Sequence, residues 1–318
     1  MLAHSSGTVV DRAFSTAIHI AGVELGGTKC ICTLASDPNT IVAQEVVETG
    51  HPDETLPALS DILERWQRIF GFRALGIASF GPLCLDMTSE HYGHILATNK
   101  PDWSMVDVLG RLSGHIGVPI AFDTDVNGAA FAEIAWGAGH ELSDFAYVTV
   151  GTGIGVGLIV NGKPTRGIGH SELGHMRVAR HADDNFVSTC RFHADCVEGL
   201  ASGSAIKARL GAQHIIDIGA DDPVWSPVID ALATLCHNMV CSTGPMRIAM
   251  GGGVMNRQPH LLARIEARLI ESLGGYMALP DGSHYIVAPT LGTQAGPLGS
   301  VALGLSALHP AVGVVATR

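Results

Sequence analysis

Two glycine-rich turns constrain the fold of this chain more than any other sequence feature. Each turn stands between two short apolar segments: the first between residues 18–24 and 30–34, and the second between residues 145–150 and 156–160. Glycine adopts turn conformations that other residues resist, and β-branched residues such as those of both flanks favour strands. Both stretches therefore predict a strand-turn-strand hairpin. The turns themselves read Gly26-Gly27-Thr28-Lys29 and Gly151-Thr152-Gly153-Ile154-Gly155.

The second turn resembles the glycine pattern of dinucleotide-binding proteins only superficially. That motif requires a helix to begin at the glycines. Here the chain continues as an apolar segment rich in β-branched residues until it turns again at Asn161-Gly162. We therefore predict a second hairpin and exclude a Rossmann site.

Helical and strand patterns alternate after each hairpin. Residues 52–70 have the apolar spacing of an amphipathic helix, and residues 74–80 and 118–122 read as buried strands. A helix is also expected from about residue 104 to residue 116, and one helix from 198 to 210. This alternation predicts α/β layers around a mostly parallel or mixed sheet.

The domain prediction follows from the repetition of a hairpin at the start of each half. We expect a disordered tail over residues 1–16, a small N-terminal α/β domain over 17–123 and a large α/β domain over 124–318. The large domain would contain a metal-binding loop at residues 170–199. Its C-terminal helix is able to pack back on the small domain.

A third glycine run, Gly251-Gly252-Gly253, follows an apolar strand and precedes a helix. If the three glycine turns converge between two domains, the hairpin turns suit the phosphates of a nucleotide. Their backbone amides are unobstructed by side chains and can point together at a phosphate oxygen. The third turn, with a helix behind it, suits the nucleoside side. The sequence therefore predicts an ATP site in an interdomain cleft.

Acidic residues lie where the strand at 118–122 gives way to a helix. Phosphoryl transfer uses such a residue to accept the proton of an attacking hydroxyl, and Asp125 is the candidate. Asp123 and Asp125 could exchange the roles of general base and helix N-cap, and the sequence leaves both arrangements open. Asn127 could bind a sugar hydroxyl. Glu24 could hold a magnesium-bound water or simply be a satisfied carboxylate at a strand end.

Cysteine and histidine residues cluster between residues 175 and 196. Cys190, His193 and Cys196 have the spacing Cys-x2-His-x2-Cys, and His175 precedes them. Thiolate sulfur and imidazole nitrogen are the ligands that tetrahedral zinc prefers. The alternative is two buried cysteines and two surface histidines that never meet. Because residues 191–195 are too polar to be ordered by a core, the sequence favours a zinc site.

The bulk composition excludes several classes of function. The net charge of −11 argues against nucleic acid as a partner, since phosphates require basic patches. Seven scattered cysteines fit a reducing compartment better than a disulfide framework. The sequence shows no signal-peptide pattern and no apolar run of transmembrane length. We therefore expect a soluble, cytoplasmic protein with no membrane partner.

Taken together, these motifs resemble the ROK family of sugar kinases, which have the actin-like (RNase H-like) ATPase fold with two α/β domains around a nucleotide and sugar cleft. Within that family the chain is similar to the zinc-containing bacterial fructokinases. Besides the glycine turns, the resemblance rests on Ser79-Phe80-Gly81-Pro82, Thr124-Asp125-Val126-Asn127, Glu172-Leu173-Gly174-His175, the Cys190-His193-Cys196 cluster, Glu198-Gly199-Leu200-Ala201-Ser202-Gly203 and Gly251-Gly252-Gly253-Val254-Met255. It covers nearly all of residues 20–305.

The resemblance implies that Asp125 takes the proton from the primary hydroxyl of a hexose as that hydroxyl attacks the γ-phosphate of ATP-magnesium. D-fructose would be the substrate and D-fructose 6-phosphate the product. Asn127, Glu172 and His175 would bind sugar hydroxyls, and His175 would also bind a structural zinc. A homodimer is the family expectation. The implied nucleotide-binding residues are Gly26, Gly27, Thr28, Lys29, Gly151, Thr152, Gly153, Ser204, Gly251, Gly252, Gly253, Val254 and Met255.

Three departures from the family pattern accompany this match. Glu24 stands where an Asp is common, Ser188 replaces a usual Gly, and Ser204 replaces a usual Pro and is expected to loosen its turn. Mannose or glucose kinases would use the same catalytic and nucleotide-binding residues, so the sequence does not decide which hexose is the substrate. A sugar-sensing repressor would need a DNA-binding module before the first turn, and only about 20 residues precede it.

Overall fold

The computed structural model describes residues 18–114, 116–181, 183–280 and 284–308. The predicted tail of residues 1–16 lies outside these ranges. The described chain forms two α/β halves, each built on a five-stranded sheet and each with its own apolar core.

The first half contains five strands and two helices. They are β1 (Ile20–Leu25), β2 (Lys29–Ala35), β3 (Ile41–Glu48), α1 (Pro52–Ile69), β4 (Ala74–Ser79), α2 (Val108–Ser113) and β5 (Ile120–Thr124). The strand order is β3-β2-β1-β4-β5, with β1, β4 and β5 parallel and β2 and β3 antiparallel to their neighbours.

The second half contains the other elements of the described chain. They are α3 (Asp125–Trp136), β6 (Phe145–Val150), β7 (Ile154–Val160), β8 (Lys163–Pro164), α4 (Val197–Ala201), α5 (Gly203–Leu210), α6 (Trp225–Ser242), β9 (Ile248–Gly251), α7 (Gly253–Arg257), α8 (His260–Leu273), β10 (Ile286–Val287) and α9 (Ala295–Ala307). Its sheet order, β10-β9-β6-β7-β8, repeats the first sheet: an antiparallel hairpin at one side and parallel strands at the other.

Both predicted hairpins are confirmed. In each, three residues join the strands, at positions 26–28 and 151–153. Strand β3 was not anticipated, because it lies at the sheet edge and most of its side chains are exposed or half-buried. Such a strand lacks the continuous apolar run of a central strand, so its pattern is weak.

Two helix predictions were wrong in their extent. The helix expected from residue 104 begins only at Val108, because the side chain of Asp107 caps it by accepting from Gly110 N. The helix expected from 198 to 210 is two helices. Ser202 ends α4, and its hydroxyl accepts from Ala205 N at the start of α5.

Helix α9, the last helix of the described residues, packs on the sheet of the first half although it belongs to the second. Its backbone lies so close to β4 that a Cβ on Gly76 would be 1.8 Å from the carbonyl oxygen of Ser300. It also crosses α3 at Gly299, where a Cβ would be 2.5 Å from the carbonyl carbon of Gly128. Glycine at position 76 therefore permits the close contact of α9 with the first half, and glycine at 128 and 299 permits its close contact with α3.

Among the helices of the described residues, none combines the length and apolar character that crossing a bilayer requires.

Candidate active site

A cleft of about 800 Å³ lies between the two halves. It is lined by parts of both hairpin turns, by the start of α3 and by the loop that precedes α4. The predicted site residues that line it are Gly27, Thr28, Asp125, Gly151, Thr152, Gly153, Glu172 and His175. The fold thus brings together residues that are up to 148 positions apart in sequence, from Gly27 to His175.

Asp125 lines this cleft as the first residue of α3. Its Oδ1 accepts a 2.9 Å hydrogen bond from Val126 N. Burial raises the pKa of Asp125 from 3.8 to about 6; the amides of Val126 and Asp125 oppose this rise, and the negative charge of Glu172 adds to it. A carboxylate with a pKa near neutrality can accept a proton and release it again.

Asp123 has a different environment. Its side chain is fully buried, its Oδ1 accepts from Thr124 N at 2.7 Å and Asn127 Nδ2 at 2.8 Å, and Arg166 donates to Oδ2. Neither Asp123 nor Asp125 caps α3, because the hydroxyl of Thr124 accepts from Asn127 N. Asp123 is therefore a paired internal charge, and of the two acids only Asp125 lines the cleft.

This arrangement also corrects the expectation for Asn127. Its side chain is 3% exposed, donates to Asp123 and is absent from the cleft lining. Asn127 therefore supports the buried Asp123 and does not line the cleft as the prediction of a sugar ligand requires.

Glu24 is the next-to-last residue of β1, close to the first glycine turn. Its pKa is raised to about 7, because burial and the negative charge of Asp125 outweigh the opposing effect of Lys29. The carboxylate faces the start of α9, where a Cβ on Gly296 would be 2.1 Å from Oε1. The two acids thus share one region of negative potential, which suits a cation.

The predicted zinc ligands meet. The ligand atoms of His175, Cys190, His193 and Cys196 all lie within 4.8 Å of one another. Cys190 Sγ is 3.7 Å from Nδ1 of both His175 and His193, and Cys196 Sγ is 3.9 Å from His175 Nδ1. Tetrahedral zinc with ordinary bond lengths would separate sulfur from nitrogen by about 3.6 Å. The donor set and its spacing therefore fit a closed tetrahedral metal site, and the alternative of unconnected residues was wrong.

Glu198 is a cleft residue to which sequence reasoning assigned no role. Its Oε1 lies 3.8 Å from His175 Nε2, the ring nitrogen that faces away from the metal cluster. Its Oε2 accepts from Ile154 N at 3.0 Å, directly after the second glycine turn. Glu198 thus connects the cluster to that turn. The sequence contains a signal for this role, because Glu198 follows the predicted metal ligand Cys196 by two positions.

The third glycine run lies beside the second turn but outside the cleft lining. Gly252 has a φ of +90°, and a Cβ there would be 2.6 Å from the carbonyl oxygen of Val150. The side chains of Val254 and Met255 are buried in the core of the second half, so only backbone there remains available to a nucleotide.

Ser204 does not loosen its turn as expected. Its hydroxyl donates a 2.8 Å hydrogen bond to the carbonyl oxygen of Thr152, and Gly203 N donates to Gly151 O at 2.7 Å. The start of α5 therefore fixes the second glycine turn through two consecutive carbonyl groups.

Two similar halves, each opening with a glycine-turn hairpin and enclosing a cleft with a carboxylate of raised pKa, define a protein of the actin-like ATPase fold. The ROK family model matches residues 20–307, and the chain belongs to the ROK family. The fold predicted from the resemblance is confirmed.

Individual relatives agree with this family. A fructokinase from Zymomonas mobilis is 40% identical over 289 residues, which are 90% of this chain and 96% of the relative. A fructokinase from Pediococcus pentosaceus is 36% identical over 292 residues, covering 92% and 99%. The crystal structure of a ROK hexokinase from Thermus thermophilus superimposes with a TM-score of 0.74 at 26% identity, covering 92% of this chain and 99% of that one.

Proposed function

We propose that this protein is an ATP-dependent fructokinase that converts D-fructose to D-fructose 6-phosphate. The observation that carries the proposal is the presence of Asp125, with its raised pKa, in the same cleft as two glycine turns. The curated relatives that share 36–40% identity over about nine-tenths of the chain and bear the name fructokinase support the choice of hexose.

In this proposal Asp125 takes the proton of the primary hydroxyl while the hydroxyl oxygen forms a bond to the γ-phosphorus. The bond from that phosphorus to the bridging oxygen breaks, and ADP leaves with the electron pair. The amides of the two glycine turns bind the phosphate oxygens. Glu172, His175 and Glu198 face the same space and orient the sugar hydroxyls.

Two metal ions belong to the proposal. Magnesium would neutralise charge on the phosphates, and Glu24, next to the first glycine turn, would hold it through a bound water. Zinc would be structural, held by His175, Cys190, His193 and Cys196, and it would fix the ring of His175 toward Glu198. We also propose a cytoplasmic homodimer.

A coupled assay of ADP release tests this function with fructose, mannose, glucose and N-acetylmannosamine as acceptors. We expect the highest kcat/KM with fructose. Preference for mannose or glucose would support the alternative of a mannokinase or glucokinase. The absence of turnover with all four sugars would contradict the kinase proposal.

A pair of variants tests the base. Asp125→Asn should lower kcat by at least about a hundredfold, since general base catalysis contributes that much. Asp123→Asn alters a charge that is paired away from the cleft, so it should reduce stability more than kcat. The reverse pattern would assign the base to Asp123.

A further inference from the structure

The first glycine turn is held in place by its carbonyl groups. Thr49 Oγ1 donates to Gly26 O at 2.8 Å, Lys100 Nζ donates to Gly27 O at 2.7 Å, and Thr49 N donates to Thr28 O at 3.0 Å. Three consecutive carbonyl oxygens are therefore satisfied by donors from outside the turn. Only one of these donors, Lys100, carries a charge, which makes its hydrogen bond the strongest of the three.

Two of the three amide groups of the same turn are free, since only Gly26 N donates within the turn, to Lys29 O at 3.1 Å. Within the described part of the chain, Gly27 N and Thr28 N donate no hydrogen bond, and both residues line the cleft. Because the carbonyl and N–H of a trans peptide point in opposite directions, a donor that fixes Gly27 O also fixes the direction of Thr28 N–H. Lys100 therefore determines how this peptide group faces the cleft.

Lys100 belongs to a segment that also lines the cleft. The three residues before it, Ala97, Thr98 and Asn99, are part of the cleft lining, as is Glu172. Three residues after it, the buried Trp103 donates through Nε1 to Gly50 O at 3.0 Å. The segment is thus anchored at one end and lines the cleft at the other. Its ammonium group makes no ion pair among the described residues, and its partners are the carbonyl oxygens of Gly27 and Thr49.

We propose that Lys100 is a positioning residue for phosphoryl transfer, which orients the Gly27–Thr28 peptide toward the ATP phosphates and couples occupation of the hexose site to nucleotide affinity. This inference rests on the proposed function. A sugar that orders residues 97–99 also orders Lys100, and through Lys100 the phosphate-binding turn. The ammonium charge adds favourable potential behind the site of the phosphates.

Isothermal titration calorimetry with a nonhydrolysable ATP analogue and magnesium tests the proposal, with and without fructose. We expect fructose to tighten analogue binding in the wild type. Lys100→Met should weaken the analogue by about tenfold, the usual cost of one charge-assisted hydrogen bond, and should abolish the effect of fructose. Lys100→Arg, which keeps the charge and donors, should restore both within about threefold.

Lys163→Met is the matched control, because Lys163 is an exposed lysine on β8 outside the cleft lining. In steady-state kinetics, Lys100→Met should raise the KM for ATP, and because coupling is reciprocal the KM for fructose at saturating ATP should rise by no more than the coupling factor that is lost. If Lys100→Met does not fold, Lys100→Gln is measured by the same criteria. Analogue affinity within twofold of wild type in the Lys100 variant, or an equal loss in Lys163→Met, would overturn the inference.

Binding and turnover separate this inference from the fructokinase assignment. If the wild-type protein binds the analogue but phosphorylates no hexose, the fructokinase proposal alone is contradicted. Calorimetry on the Lys100 variants then still tests whether Lys100 positions the phosphate-binding turn. A wild-type protein that does not bind the analogue contradicts both.

Discussion

The backbone N–H of Leu83 donates a 2.9 Å hydrogen bond to Nε2 of His170. Leu83 belongs to the first half of the protein and His170 to the second, and the His170 side chain is only 6% exposed. Since Nε2 accepts, the neutral ring carries its proton on Nδ1, which lies 3.6 Å from Glu172 Oε1. One imidazole therefore holds the two sides of the cleft together and lies against a predicted sugar ligand.

Replacing this ring should affect the sugar more than the nucleotide. His170→Phe keeps the volume but removes the acceptor, leaving Leu83 N without its partner and Glu172 without its neighbour. We expect the KM for fructose to rise about tenfold, while the KM for ATP changes less than about threefold. Steady-state kinetics measure both. The control is His284→Phe, at a residue whose side chain is 79% exposed; equal effects of the two variants would contradict the role of His170.

The raised pKa of Asp125 predicts how stability depends on pH. A carboxyl whose folded-state pKa is about 6 stabilises the fold most at low pH, and this contribution is lost as the pH rises from about 4 through 6. Asp125→Asn should therefore raise Tm by about 2–4 °C at pH 7.5 and have little effect at pH 4. Thermal unfolding at both pH values measures this.

The control for that experiment is Asp144→Asn. Hydrogen bonds from Ser143 and Asn161 lower the pKa of Asp144, so its contribution has the opposite sign, present at neutral pH and lost on acidification. Asp144→Asn should not raise Tm at pH 7.5. A wild type more stable than Asp125→Asn at that pH would show that the carboxylate is not penalised by burial.

Loss of the proposed zinc should impair the sugar site first. Metal analysis should find about one zinc per chain, and Cys190→Ser should lose it. Because His175 lies between the metal cluster and Glu198, we expect the KM for fructose to rise about tenfold and the KM for ATP to rise less. Cys241→Ser, at an exposed thiol outside the cluster, is the control. A full zinc content in Cys190→Ser would remove Cys190 from the ligand set.

The ion pair of Arg166 and Asp123 should contribute to stability rather than to chemistry. Arg166→Met leaves the fully buried Asp123 carboxylate without its cation and should lower the free energy of unfolding by about 3 kcal/mol. In the double variant with Asp123→Asn the loss should be smaller than the sum of the single losses. Urea unfolding of the four proteins provides this comparison, and strictly additive losses would show that the pair does not interact.

Local patterns in the sequence were sufficient for much of the fold and for one part of the site. The glycine turns at 26–28 and 151–153 were predicted to within two residues, because glycine between apolar β-branched segments has few other solutions. The spacing of Cys190, His193 and Cys196 likewise predicted a cluster that the fold completes with His175.

Other features depend on partners that are distant in sequence. The local pattern left the roles of Asp123 and Asp125 open, and only the family resemblance favoured Asp125 as the base. In the structure Arg166, 43 residues away, pairs with Asp123, and Asp125 lines the cleft. The hydroxyl of Ser204 finds the carbonyl of Thr152 across 52 residues, and Nζ of Lys100 finds that of Gly27 across 73.

The sequence by itself therefore determined which hairpins form and which residues suit a metal, since both follow from the chemistry of near neighbours. Only the tertiary structure decided which carboxylate lines the cleft, which residues fix the glycine turns and which ring joins the two halves. The physical reason is that the role of a polar side chain depends on the groups that it contacts in the folded protein. Those contacts are set by the packing of whole sheets and helices, which no short stretch of sequence encodes.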